Sequence, residues 1–270
     1  MKNTLIRSTL LLIFLVVSTV INAQDSLRVS EGNRVDNDID STLSFTKTGS
    51  STAPYRIIFI HGSPGEKEAY DDYLHHSSLQ EKAELIAIDR LGYGDSGKQV
   101  ETSLLTQAQA ITPFLSHDKQ NILIGHSLGS PIALQLALIE SSKIAGMVLV
   151  ASAFDPELEH PKWYNHAANT LLAQWLLPTD MNNSNLEMMV LSEQLTSLSQ
   201  QDWSNLTMPI RVLHGEEDDL ADPDNSKFAY EKLKQNQATL RYVKGEGHLI
   251  LWQNVPEVVS EIDLLLNQLP

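Results

Sequence analysis

No cysteine occurs anywhere in the 270 residues. Without thiols there is no disulfide framework, no thiolate metal site, no cysteine nucleophile and no lipid-modified cysteine, so stability has to come from an apolar core. Basic residues are scarce as well, 19 Lys and Arg against 34 Asp and Glu, which gives a formal charge of −15. Nucleic acids and anionic membrane surfaces both reward Lys and Arg, so this balance argues against either as a partner. Metal-binding patterns are missing too. There is no His-Glu-x-x-His, and the pairs His75-His76 and His160/His166 have no carboxylate at a suggestive spacing. No cofactor is expected. The chain contains no internal repeat and no low-complexity tract.

What is present begins with 42% hydrophobic residues, enough to bury the core of one large α/β domain or two small ones and to exclude disorder of the whole chain. The long apolar run lies at the start: Lys2 and Arg7, then residues 10–17 without a polar break, then Asn22-Ala23-Gln24. A basic start, an apolar stretch too short to span a bilayer stably and a small residue before a cut after Ala23 read as a secretory signal over residues 1–23. Such a signal sends the protein to a periplasm or out of the cell, and its removal leaves no stable membrane anchor. Residues 24–51 are a polar leader, whose weak alternation over 43–48 suggests an edge strand.

From there apolar strand patterns alternate with helical ones. Strands are expected over residues 55–60, 85–88, 121–124, 147–150, 210–213 and 240–243. Helices are expected over 70–79, 104–111, 130–139, from Asp222-Pro223 toward Leu233, and over 255–269. This alternation implies a mostly parallel sheet with helices on both faces, its functional loops at the carboxyl ends of the strands. Residues 153–201 break the pattern, with helices expected over 163–177 and 186–198 and prolines at 156, 161 and 178. They read as a helical lid inserted into a core made of 52–152 and 202–270. Trp163, Tyr164, Trp175, Met188 and Met189 are read as packing that lid onto its base, in preference to lining a pocket. Glu157, Glu159 and Glu187 are read as a solvated acidic face, and Asp89-Arg90 as an ion pair supporting the glycine-rich loop 92–97.

The chemistry gathers around Ile-Leu-Ile-Gly-His-Ser-Leu-Gly at 122–129. An apolar strand runs into Gly125, a helix-forming stretch follows Gly129, and Ser127 stands in the sharp turn between them. A serine hydroxyl is a poor nucleophile at neutral pH, so it needs a base and a third group that orients the base. His248, after the last strand, and an acid among residues 216–222 supply them in the order serine, acid, histidine.

These features resemble an α/β-hydrolase of the lid-bearing family typified by small esterases, epoxide hydrolases and proline iminopeptidases. His61-Gly62-Ser63-Pro64-Gly65, residues 89–97, Gly125 to Gly129, residues 215–218 and Gly247-His248 carry the likeness in family order and spacing, over residues 55–266. The resemblance implies an α/β-hydrolase fold and an oxyanion hole formed by the backbone N–H groups of Ser63 and Leu128. It also picks Asp218, three residues after the strand-ending glycine, as the triad acid. Epoxide hydrolases use aspartate at the elbow, so Ser127 points to acyl transfer to water. Proline iminopeptidases usually carry glycine where Ser63 stands and lack His126, which disfavours that activity. The expected protein is a secreted serine hydrolase cleaving a small or medium apolar carboxylic ester, a small-molecule substrate, through an acyl-enzyme. The alternatives are an aminopeptidase or amidase of the proline iminopeptidase type and a catalytically silent binding protein of the same fold.

Overall fold

A computed structural model describes residues 41–235 and 237–270. The expected signal sequence over residues 1–23 and most of the expected polar leader over 24–51 lie outside those residues.

Runs of β-branched and leucine residues form β2 (Tyr55–Ile60), β3 (Ala83–Ile88), β4 (Gln120–His126), β5 (Ile144–Val150) and β6 (Ile210–Gly215), flanked by β1 (Phe45–Gly49) and β7 (Ala238–Val243). The seven strands make one sheet in the order β1-β3-β2-β4-β5-β6-β7. All neighbours are parallel except β1, which runs antiparallel to β3 at the edge. Successive residues of a strand point to opposite faces, and in the central strands both faces are apolar because both are covered. Ile58, Ile60, Leu123, Leu149 and Val212 face one core layer, whereas Ile57, Phe59, Ile122, Ile124, Val148 and Leu213 face the other.

Helices α1 (Asp71–Leu74), α2 (Ser77–Lys82), α9 (Ile250–Gln253) and α10 (Val255–Leu266) cover the second layer with Tyr73, Leu74, Leu79, Ile250, Ile262 and Leu265. The first layer is closed by α3 (Leu104–Ile111), α4 (Gly129–Ile139) and α8 (Asp224–Leu233), through Ala108, Ile111, Ile132, Leu136, Ala229 and Leu233. The helix expected over 70–79 is two short helices, because His76 takes an extended ψ of 113° after α1.

Between β5 and β6 stand three helices and no strand: α5 (Trp163–Ala168), α6 (Leu171–Leu176) and α7 (Thr179–Ser199). The single helix expected over 163–177 breaks at Thr170, whose extended ψ of 148° starts a new helix. In α7, Leu191, Leu195 and Leu198 recur at helical spacing and join the first core layer beside α4. The earlier turns of α7 bury polar side chains instead, Asn183, Ser184, Asn185 and Glu187.

Two readings of this insertion need correction. Trp163, Tyr164 and Trp175 do not pack onto the base but stand exposed, while Met188 alone of the named set lies against the core. Glu187 is no solvated residue either: it is buried, Glu159 is half-buried, and only Glu157 faces water.

Candidate active site

The turn after β4 shows why its glycines are required. Ser127 adopts φ 51°, a left-handed conformation that strains a residue with a β-carbon and is kept where the surroundings enforce it. Its N–H donates to the Val150 carbonyl at 2.9 Å, which locks the turn to the end of β5. A β-carbon on Gly129 would lie 2.1 Å from the Ile60 carbonyl oxygen, and one on Gly125 2.6 Å from the Gly129 carbonyl oxygen, so neither position accepts a side chain. Ser127 is left half-exposed at the carboxyl edge of the sheet.

Asp218 follows β6 and is the buried carboxylate of its loop, whereas Glu216, Glu217, Asp219 and Asp222 are exposed. Its Oδ1 accepts the backbone N–H groups of Leu220 and Ala221, each at 2.9 Å. Its Oδ2 accepts His248 Nδ1 at 2.8 Å and His214 Nε2 at 3.0 Å. Burial pushes this carboxyl up, but the bonds from His214 and His248, with the charge of His248 and the Ala221 N–H, outweigh it and hold Asp218 well below the usual carboxylate range. With Nδ1–H committed to Asp218, a neutral His248 presents Nε2 as an acceptor.

His126 ties Ser127 to this pair. Its Nε2–H donates to the His248 carbonyl at 3.0 Å, and the two imidazole rings lie 5.0 Å apart. Burial, then the neighbouring His248, drives His126 down to about 3, so it stays neutral and serves as a fixed donor. Ser127 Oγ and His248 make no hydrogen bond with each other. An open serine–histidine hydrogen bond is common without substrate.

The loop after β2 carries the expected oxyanion donors. Gly62 sits so close that a β-carbon there would meet Ser127 Cβ at 2.9 Å. Neither the Ser63 nor the Leu128 N–H finds an acceptor among the described residues. The Asp89-Arg90 pair expected from the sequence does not form, and each residue has a different partner. Asp89 takes Lys67 Nζ at 2.8 Å and, through its other oxygen, the Lys67 N–H at 2.7 Å. Arg90 is fully buried, its Nε donating to the His61 carbonyl at 2.9 Å and its NH2 to the Gly62 carbonyl at 2.8 Å. Because the Gly62–Ser63 peptide is trans, pinning its carbonyl toward the guanidinium turns the Ser63 N–H the other way.

Arg90 is in turn held by Glu187 of α7, NH1 to Oε1 at 2.7 Å. Glu187 Oε2 also accepts Ser63 Oγ at 2.5 Å and Tyr93 OH at 2.6 Å. Burial first, then the adjacent carboxylate, pushes the Tyr93 phenol well up, so it remains a donor. His61 completes the loop as a neutral ring: its Nδ1–H donates to Gly62 O at 2.8 Å and its Nε2 accepts the Arg90 N–H at 3.0 Å. Burial and the Arg90 charge push its pKa well down.

Two parts of this arrangement escape sequence reading. His214 is the second side-chain donor to Asp218, and its only signal is its place at the end of β6. Glu187 lies nearly 100 residues from Arg90, with no local pattern joining them. Among the described residues no group of three or more His, Asp or Glu is arranged to hold a metal.

A seven-stranded, mostly parallel sheet with a serine elbow after β4, an acid after β6 and a histidine after β7 defines a class of fold and site. The profile of the alpha/beta hydrolase family matches residues 57–262, and the chain belongs to that family. Mouse monoglyceride lipase is 23% identical over 250 residues, covering 78% of this chain and 81% of that protein. A Pseudomonas putida dihydrolipoyllysine-residue acetyltransferase component of the acetoin cleaving system is 27% identical over 100 residues. The match takes in 36% of this chain and only 26% of that protein. Among solved structures, a lipase-esterase related protein from Clostridium acetobutylicum superposes with a TM-score of 0.66 at 18% identity, covering 83% of this chain and all of the other.

Proposed function

We propose that the protein is a serine hydrolase that cleaves small or medium apolar carboxylic esters through an acyl-enzyme. The observation that carries the reading is the 2.8 Å bond from His248 Nδ1 to buried Asp218, tied through His126 to the strained turn that presents Ser127. In this scheme Ser127 Oγ attacks the ester carbonyl as His248 Nε2 takes its proton, and Asp218 stabilises the imidazolium. The backbone N–H groups of Ser63 and Leu128 receive the oxyanion, each worth about 3 kcal/mol of barrier. The imidazolium then protonates the departing alkoxide, and water, deprotonated by His248, releases the acid and restores Ser127.

An ester is favoured over a peptide because a free amino group needs an unengaged carboxylate near the serine. Glu187 is neutralised by Arg90, and Glu159 Oε1 already accepts Asn225 Nδ2 at 2.8 Å. The N-terminal pattern supports export to a periplasm or the medium.

The test is a panel of p-nitrophenyl esters, lactones and prolyl amides, run beside labelling with a fluorophosphonate probe. Esters cleaved far better than prolyl amides, with labelling and turnover both lost in Ser127→Ala, are the expected result. Prolyl amides as the preferred substrates move the assignment to an aminopeptidase. A well-folded protein that neither labels nor turns over any substrate is a binding protein.

A further inference from the structure

The helices α5 and α6 are turned inside out. On α6, Leu171, Leu172, Trp175 and Leu176 occupy one arc of the helix and are exposed to 87%, 68%, 80% and 65%. The opposite arc, half-buried, carries only Ala173 and Gln174. Gln174 spends its amide on the Asn169 side chain at 2.9 Å, and its carbonyl accepts Asn182 Nδ2 at 2.7 Å. A helix against a protein core normally shows the reverse, polar side chains outward and leucines in. On α5, Trp163 is 64% exposed, and its ring meets the exposed Tyr164 ring edge-on at 5.9 Å. Six large apolar side chains therefore stand in water on one short stretch, well beyond the single exposed leucines any surface carries.

Charge distinguishes the same stretch. The chain has 34 acidic residues against 19 basic, yet residues 160–179 contain no Asp or Glu and expose Lys162, His160 and His166. Lys162 and His166 thus border the apolar face with groups that tolerate or attract phosphate, on a molecule whose net charge repels it, whereas His160 Nε2 faces Glu157 at 3.7 Å.

We propose that the α5–α6 face docks on a zwitterionic phospholipid surface, with Leu171, Leu172, Trp175 and Leu176 entering the acyl region and Trp163, Tyr164 and Lys162 at the headgroups. Tryptophan and tyrosine pair an apolar body with a polar tip and favour that depth, and a lysine can reach a phosphate from it. Shape favours lipid over a protein partner. Side chains exposed to this degree protrude, and a fluid bilayer takes up a protruding helix without a matching pocket, whereas a stable protein interface needs a complementary surface of about 800 Å2 on each side. The net charge sets the lipid class: the molecule as a whole is repelled by an anionic surface, so binding has to rest on the apolar face. This docking does not depend on the ester-hydrolase reading, since it concerns a surface remote from Ser127 in sequence and free of its chemistry.

The experiment is flotation of the full chain with large vesicles of phosphatidylcholine, read together with tryptophan emission, against the double variant Leu171→Ser, Trp175→Ser. Both replaced side chains are exposed, so the variant keeps its circular dichroism and thermal midpoint. The parent is expected to float with the vesicles and shift its emission to the blue. The variant is expected to bind at least about tenfold more weakly, since two large apolar side chains no longer leave water. The parent failing to float overturns the proposal, as does a variant that binds as tightly as the parent. Binding seen only on phosphatidylglycerol vesicles overturns it too, because charge and not the apolar face would carry it. Sedimentation velocity supplies a last outcome: a parent dimer that the double variant disperses assigns the face to a second copy of the chain and sinks the lipid reading.

Discussion

Asp218 is distinguished from the four carboxylates around it by what it touches. Four hydrogen bonds converge on its two oxygens, while Glu216, Glu217, Asp219 and Asp222 remain in water. Asp218→Asn keeps the volume but cannot hold His248 in the required tautomer, so kcat on a p-nitrophenyl ester is expected to fall by about a thousandfold or more, with the fold intact. Asp219→Asn and Glu217→Gln, measured beside it, stay near the parent. His214 acts through the same carboxylate. His214→Phe removes one donor from Asp218 and leaves the Ser226 hydroxyl, 2.6 Å from His214 Nδ1, without its partner. A loss of about 1–3 kcal/mol in urea unfolding is expected, with a fall in kcat of about tenfold. His214→Gln, which can still donate, restores part of both.

Helix α7 performs two jobs along its length. Its carboxyl half packs Leu191, Leu195 and Leu198 into the core, while its first turns reach across to the loops that flank the serine. Asn183 Nδ2 donates to the Gly92 carbonyl at 2.7 Å, and Glu187 neutralises Arg90. Glu187→Ala strands a fully buried guanidinium, so unfolding in urea should show a loss of about 3–5 kcal/mol. Adding Arg90→Met removes the stranded charge and is expected to recover much of that stability without recovering turnover, because the Gly62 carbonyl loses the guanidinium and keeps only the His61 Nδ1–H. Stability and kcat measured on both variants separate the structural from the orienting contribution. The elbow is stricter still: with the Ile60 carbonyl 2.1 Å from where a β-carbon would stand, Gly129→Ala must displace β2 or α4. A cost of about 3 kcal/mol, seen as a lower thermal midpoint, is expected.

At the scale of the molecule, acid is the weak point. His61 and His126 are buried neutral, both with pKa values pushed down by burial, His126 to about 3. An unfolded histidine titrates near 6.5, so below that pH the unfolded chain binds protons that the folded one refuses. The stability these two histidines contribute is therefore complete above about pH 6.5 and is lost progressively as pH falls from there toward their folded values. Each contributes a slope of about 1.4 kcal/mol per pH unit across its window. Asp218, also depressed, adds a further loss below about pH 3.9, its unfolded value. Urea midpoints should hold from pH 7.5 to about pH 6.5 and fall steadily from there to pH 4. In His126→Asn the fall should be shallower, because one of the two protons is gone.

The sheet and its elbow were legible in the chain itself, since apolar runs, strand-ending glycines and the order serine, acid, histidine are local signals. Period and turn chemistry act over a few residues, and they marked the core strands, an edge strand over 43–48 that forms as Phe45–Gly49, and the positions of Ser127 and His248, while the acid stayed open among residues 216–222 and only the family resemblance picked Asp218. Tertiary structure alone decided who pairs with whom. Asp89 and Arg90 are adjacent in sequence, but successive side chains leave the backbone on different sides, so one reaches Lys67 and the other meets Glu187 from α7. The same holds for α6, whose Trp175 is read from the sequence as packing the lid onto its base. Nothing in the spacing of its residues says which arc meets the protein, and in the fold it is Ala173 and Gln174 that turn inward, because burial is a property of what lies opposite a helix and not of the helix itself.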